Sequence, residues 1–254
     1  MVDHKLMKLG RRPARYDPRT LRLAKYLTPA LPPPPPARTW SAALAMPCGM
    51  MLNNQLGDCT CAAVGHGVQV LTANTGSEVT IQDPDIEAAY EAAGGYVPGR
   101  PDTDNGACLL DVLNYWRGTG VGSHKILAFM QVNPQNLQHL QTAIEYFGGL
   151  YIALELPLRA QNQPIWDVTG WGQQGQGTPG SWGGHAVWMP DYDAAGFGVI
   201  TWGELQRMTN AFQQMYNDEA YAVVTTDFLN KSTQATPDGI NVALLQQDLA
   251  QIAN

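Results

Sequence analysis

The sequence predicts an α+β fold, a helical lobe followed by a sheet lobe, and three observations predict it. Segments with apolar residues at helical spacing fall in the first half of the chain. Segments of strand composition, separated by Gly-rich turns, fall in the second, and helices first with strands second is the α+β order. The 254 residues also hold 26 Gly and 18 Pro, more turn-forming residues than a helical bundle uses.

The chain opens on a basic arm. Residues 1–25 carry eight Lys or Arg against two acidic side chains, while the whole chain stands at −7. Such an arm can dock on its own acidic body, on a neighbouring subunit or on a polyanion. The acidic balance of the rest argues against nucleic acid as the main partner. The arm ends in Pro32 to Pro36, which should form a stiff polyproline II segment. Residues 1–38 are therefore read as an extension outside a domain spanning 39–254, with 39–130 mainly helical and 131–254 mainly β. The extension holds no apolar core of a secretory signal. No apolar run reaches the ~20 residues of a membrane span. Four cysteines make no disulfide framework. A cytoplasmic or particle-associated location is expected, with no membrane contact.

Within the domain, residues 58–73 (DCTCAAVGHGVQVLTA) have helical spacing with Asp58 in N-cap position. Residues 83–93 begin Asp-Pro, as a helix with Pro in its first turn does. After the loop at 94–106, residues 107–117 and 134–147 read as further helices. Strands are expected at 149–156, 185–190, 197–202 and 220–226, with one helix at about 203–216.

Two motifs carry chemistry. Cys59 follows Gly57-Asp58 and opens a helix, where the dipole favours a thiolate. The N–H groups of that helix start face the place where an oxyanion forms. Asn53 and Gln55 lie in the preceding loop, six residues before Cys59 and Cys61 respectively, and either amide can supply a second donor. His185 opens a strand after Gly183-Gly184, a rigid position for a general base. A hairpin then returns to Thr201-Trp202-Gly203, placing a hydroxyl and an indole beside the imidazole. Asp191 and Asp193 are alternative partners for that ring. His66 is read as a packed helix histidine. Trp166, Trp171 and Trp182 are read as packing loops, with the cleft wall as the other possibility. No metal or nucleotide motif is present, so no cofactor is expected.

The chain order of cysteine, then histidine 126 residues on, then a polar residue at 142 resembles the papain-like cysteine peptidases. The similarity runs through Asn53, Gly57-Asp58-Cys59, Asp104-Asn105-Gly106-Ala107, His185-Ala186-Val187 and Thr201-Trp202-Gly203, over about residues 40–203. It looks most like divergent bacterial and phage-borne members. The resemblance implies a two-lobed fold with Cys59 as nucleophile, His185 as base, Thr201 as its orienter, and Asn53 as oxyanion donor. Gln55, Trp202 and Gly184 would support the cleft. Cys59 is preferred to Cys61 because it keeps the Gly-x-Cys-Thr pattern. The implied activity is hydrolysis of peptide or isopeptide bonds in a protein substrate. The departures are Asn53 for the family's glutamine and Thr201 for its asparagine. They leave a second expectation, a weakly active or inactive module serving as a structural or binding component of an assembly such as a phage particle. The arm is too short to resemble the long inhibitory propeptide of secreted relatives.

Overall fold

The computed structural model describes residues 4–27, 31–170 and 174–228. In chain order its elements are β1 (Leu21–Arg22), β2 (Arg38–Thr39), α1 (Cys59–Ala73), α2 (Asp83–Gly94), α3 (Leu109–Gly118) and β3 (Ile126–Val132). Then follow α4 (Leu137–Phe147), β4 (Leu150–Leu156), β5 (Ile165–Trp166), β6 (Gly183–Asp193) and β7 (Gly196–Thr201). The last three are β8 (Glu204–Thr209), α5 (Asn210–Tyr216) and β9 (Asn217–Thr225).

α1 is apolar or small nearly all round, and every residue from Cys59 to Thr72 is buried. A helix of that composition sits inside a fold rather than on its surface. It packs against β6, the long central strand, and Gly67 makes the approach possible. A Cβ there would lie 2.7 Å from the Trp188 ring. α2 and α3 pack together beside α1 and complete the helical lobe. α2 carries Pro84 in its first turn and ends at Gly95, whose φ of 77° stops it in the left-handed conformation.

The strands among the described residues form one sheet in the order β1-β3-β9-β4-β6-β7-β8-β5, with β2 pairing the far end of β6. The α+β class with a helical lobe and a sheet lobe is thus observed. β3 begins at Ile126, so the sheet lobe takes in a few residues assigned to the helical side.

Three expectations need correction. The helix expected over 203–216 begins only at Asn210, because Glu204–Thr209 forms strand β8 against β7. Trp202 and Gly203 both have positive φ, 48° and 76°, and make the two-residue turn that reverses the chain into a hairpin. Asp58 stands before α1 but its side chain makes no capping bond. The arm also does not stand outside the domain. β1 pairs in parallel with β3, and β2 pairs with β6. Tyr146 and Tyr192 donate hydroxyl bonds to the carbonyls of Pro32 and Pro35, at 2.8 and 2.9 Å, which seats the proline run on the body. No helix of the described residues is long and apolar enough to cross a membrane. Trp171 and residues 229–254 of the domain lie outside the described residues.

Candidate active site

Cys59 opens α1 and His185 lies near the start of β6, so the packing of α1 on β6 brings the two motifs together. The Ala186 N–H donates to the Cys59 sulfur across 3.4 Å. Both residues are buried, Cys59 at 1% exposure and His185 at 0%.

The turn after β7 delivers the remaining parts. His185 Nε2 lies 2.6 Å from Thr201 Oγ1, a short and well-defined hydrogen bond. That bond leaves Nδ1 as the ring nitrogen available for exchange with a thiol, and Nδ1 is buried with no hydrogen-bond partner among the described residues. Trp202 stacks on the imidazole with ring centroids 4.5 Å apart and planes 20° from parallel. The hydroxyl and the indole thus meet the histidine from adjacent residues of one turn. Asp191 and Asp193 do not reach it. Asp191 accepts from Ser41 N and Oγ, and Asp193 pairs with Arg207.

On the cysteine side, Asn53 is buried and its amide nitrogen donates to Asp58 Oδ1 at 3.1 Å and to Leu56 O at 3.2 Å. Both amide protons are therefore engaged. Gln55 is exposed on the turn. Cys61 is fully buried one residue further into the helix than Thr60, and burial drives its thiol well above the ordinary range. Asp58 is completely buried, and desolvation holds its carboxyl well above the usual range. His66 Nε2 donates to Gly49 O over 2.8 Å, and burial takes the ring down to about 4, as expected of a packed neutral histidine. Trp166 is buried behind Trp202, whereas Trp182 is only partly covered, beside Gly183 and Gly184 at the cleft.

The feature that the sequence does not announce is the occupant of the cleft. Residues 8–12 of the arm run between the two lobes on backbone hydrogen bonds. Lys8 N–H donates to Asn53 O at 3.2 Å and Arg11 N–H to Gly184 O at 3.0 Å. Ala107 N–H donates to Gly10 O and Arg12 N–H to Ala107 O, both at 2.9 Å. Gly10 lies against Gly57, two residues before Cys59, close enough that its N–H lowers the Cys59 thiol slightly. A Cβ on Gly10 would sit 1.7 Å from Gly57 O, and one on Gly106 would sit 1.8 Å from Gly10 O. Only backbone fits between these walls. Asp104 braces the loop, accepting from Gly57 N–H at 2.9 Å and from the Tyr90 hydroxyl at 2.6 Å. His4 closes the arm's start against Trp202, ring to ring at 5.0 Å.

Burial sets the protonation of the pair. Desolvation pushes the Cys59 thiol up to about 12, against smaller lowering contributions from the Ala186 and Gly10 N–H groups. Desolvation takes His185 down to about 3, and His66 and His4 lower it further. In this form both groups are neutral, a thiol and an imidazole. No group of three or more His, Cys, Asp or Glu side chains positioned for a metal ion occurs among the described residues.

The fold has close counterparts among solved structures. Xylellain, a cysteine protease from Xylella fastidiosa, superposes with a TM-score of 0.63 at 14% identity, over 86% of this chain and 96% of that one. The Carica candamarcensis cysteine protease CMS1MS2, in complex with E-64, matches at 0.53 and 15% identity over 75% and 99%. The cysteine protease and lectin-like domains of Cwp84 from Clostridium difficile match at 0.58 and 10%, over 86% and 56%. The chain carries the papain-like cysteine-protease fold. No family model matches the sequence, and no curated relative does.

Proposed function

We propose that a chain of this fold, with these residues in its cleft, is a thiol hydrolase of peptide or isopeptide bonds held latent by its own arm. The observation that carries the reading is the grouping of Cys59, His185, Thr201 and Trp202 at the junction of α1, β6 and the β7–β8 turn. When the arm leaves, water enters the cleft and both desolvation penalties shrink, so proton transfer from Cys59 to His185 Nδ1 becomes favourable. The thiolate attacks the substrate carbonyl. The Cys59 N–H, at a helix start where no preceding turn can accept it, faces the oxyanion. Asn53 joins as second donor once it releases Leu56 O or Asp58. His185 then protonates the leaving amine, and water frees the acyl group. Thr201 holds the imidazole orientation, and Trp202 shields that bond from solvent.

Occupation of the cleft by residues 8–12 supports latency, and it accounts for the basic arm without a neighbouring subunit. The test is labelling with iodoacetamide from pH 5 to 9, read by peptide mass spectrometry, alongside hydrolysis of fluorogenic peptides. Wild type, Cys59→Ala and His185→Ala are compared under conditions that displace the arm. Expected are hydrolysis that needs both residues and Cys59 labelling at pH 6 that needs His185. Hydrolysis surviving Cys59→Ala, or Cys59 reacting as an ordinary thiol once exposed, overturns the reading.

A further inference from the structure

The arm also fills a side pocket, and the charge in that pocket exceeds what the arm requires. The Arg11 side chain is 1% exposed, and three carboxylates converge on it. Its guanidinium bonds to Glu155, to Asp218 at 2.5 Å and to Glu219 at 3.3 Å. Burial alone would lower the Arg11 pKa, but Asp218, Glu219 and Glu155 together more than offset it. Among the described residues Arg11 is the only cation in an ion pair with any of the three. One guanidinium meets three acids, of which burial pushes Glu219 up while Glu155 and Asp218 sit at the more exposed rim, so the acids outnumber the cation they hold. Arg11 Nε, moreover, is buried without a hydrogen-bond partner among the described residues. The pocket accepts a guanidinium without closing around all of its donors.

The backbone is shaped to gather these acids. Glu155 on β4 stands opposite Gly184 on β6, the residue whose carbonyl receives the Arg11 N–H. On β9, Asn217 pairs with Leu154 and Glu219 with Ala153, so Asp218 is the extra residue of a β-bulge. Consecutive strand residues normally point to opposite faces. The bulge turns Asp218 and Glu219 onto the same guanidinium. The Tyr221 hydroxyl then fixes Glu219, donating to Oε1 at 2.7 Å. Glu219 is the buried floor of the pocket, while Glu155 and Asp218 are 34% and 40% exposed at its rim.

Resting on the hydrolase reading above, we infer that this pocket selects a basic side chain, arginine before lysine, on the peptide that replaces the arm. A guanidinium fork can reach separate carboxylates at once, which a lysine ammonium does less well. Arg11 is bonded to Gly184, the residue before His185, and follows Gly10, which packs on Gly57 two residues before Cys59. The selected side chain therefore belongs within two residues of the bond attacked.

Full-length Arg11→Ala, which empties the pocket, is offered fluorogenic peptides varied at each position near the scissile bond. At one position arginine should exceed leucine in kcat/KM by about 10-fold or more, as fits a desolvated charge pair. Adding Asp218→Asn and Glu219→Gln should bring that ratio close to one. Cleavage with no basic preference, or a preference indifferent to these carboxamides, overturns the pocket assignment and leaves the hydrolase standing. Thermal melts with ethylguanidinium read the pocket without catalysis. A higher melting temperature for Arg11→Ala, absent from wild type and from the carboxamide variant, upholds the assignment even if no peptide is cleaved, and then the hydrolase reading alone fails. No cleavage and no ethylguanidinium effect overturns it. Should Arg11→Ala fail to fold, Gly10→Ala loosens the arm instead. Glu155→Gln within it must then lower the arginine preference, and an unchanged preference is the contrary result.

Discussion

Gly10→Ala is the sharpest probe of the closed cleft. The added methyl would stand 1.7 Å from Gly57 O and 2.3 Å from Gly57 C, both backbone atoms with no rotamer to change. The arm must lift locally. Lifting Gly10 breaks at least the bonds from Ala107 N–H to Gly10 O and from Arg11 N–H to Gly184 O. At a net ~1 kcal/mol each, the opening costs about 2 kcal/mol less than in wild type. Because ~1.4 kcal/mol is a factor of ten, the open population rises about 30-fold. The assay is the rate of Cys59 carbamidomethylation under native conditions at pH 8, in the regime where labelling follows the open fraction. Wild type should label slowly, since burial holds its thiol at about 12. Gly118→Ala is the control, because nothing lies within 4 Å of a Cβ there. A folded Gly10→Ala protein that labels at the wild-type rate would refute the reasoning, because the arm would then not be what covers Cys59.

Four further outcomes follow from the geometry. Thr201→Ala removes the 2.6 Å bond to His185 Nε2 and should lower kcat on the order of 100-fold, with KM little changed and Thr201→Ser largely active; steady-state kinetics on a fluorogenic peptide decides it, and an active alanine variant denies Thr201 its role. Asp58→Asn replaces a carboxyl whose ionisation burial opposes, so Cys59 labelling should stay close to wild type, whereas a marked acceleration would show that a charged Asp58 raises the thiol. His66 titrates at about 4 when folded and near 6.5 when unfolded, so the unfolded state binds the extra proton between those values and acid favours unfolding. Relative to His66→Gln, wild type should thus lose stability as pH falls from 6.5 to about 4, by up to ~1.4 kcal/mol per pH unit in urea titrations, and a pH-independent difference contradicts this. Trp202→Ala empties a site 1% exposed against His185, His4 and Trp166, and should cost about 3–5 kcal/mol in the same titrations; a loss below about 1 kcal/mol would mean the indole is not packed as described.

Much of the fold is legible in the sequence because its signals are local. The run from Cys59 to Ala73 is small and apolar at every turn, and it forms the buried central helix. The segment Leu150–Leu156 reads as a strand and is one. The error at 203–216 is also local in origin. Glu204–Thr209 alternates weakly, and only the positive φ of both Trp202 and Gly203 shows that the chain turns back at once. Asp58 misleads for another reason. An aspartate before a helix is a common cap, but here Asn53 competes for its oxygen and the side chain makes no bond to the helix N–H groups.

The arm misleads because its length and charge dominate the reading and its glycine does not. A basic, proline-rich segment looks solvated when its residues are summed. What seats it is a single residue without a side chain, Gly10, crossing between Gly57 and Gly106 where the lobes leave room for backbone alone. The next residue, Arg11, then reaches three acids drawn from β4 and β9, more than 140 residues away in sequence. Each of those acids carries its own signal, a carboxylate within an apolar strand segment, which is costly unless a cation answers it. Glu155 in Leu150–Leu156 and Asp218-Glu219 ahead of Ala220–Thr225 all fit that description. Taken together with a glycine-arginine pair in a basic arm, such unanswered acids mark a docking site at the level of sequence, even though no single one of them does. The same logic explains why the closed form is self-consistent: the acids that would burden an empty cleft are the ones that hold the arm across Cys59.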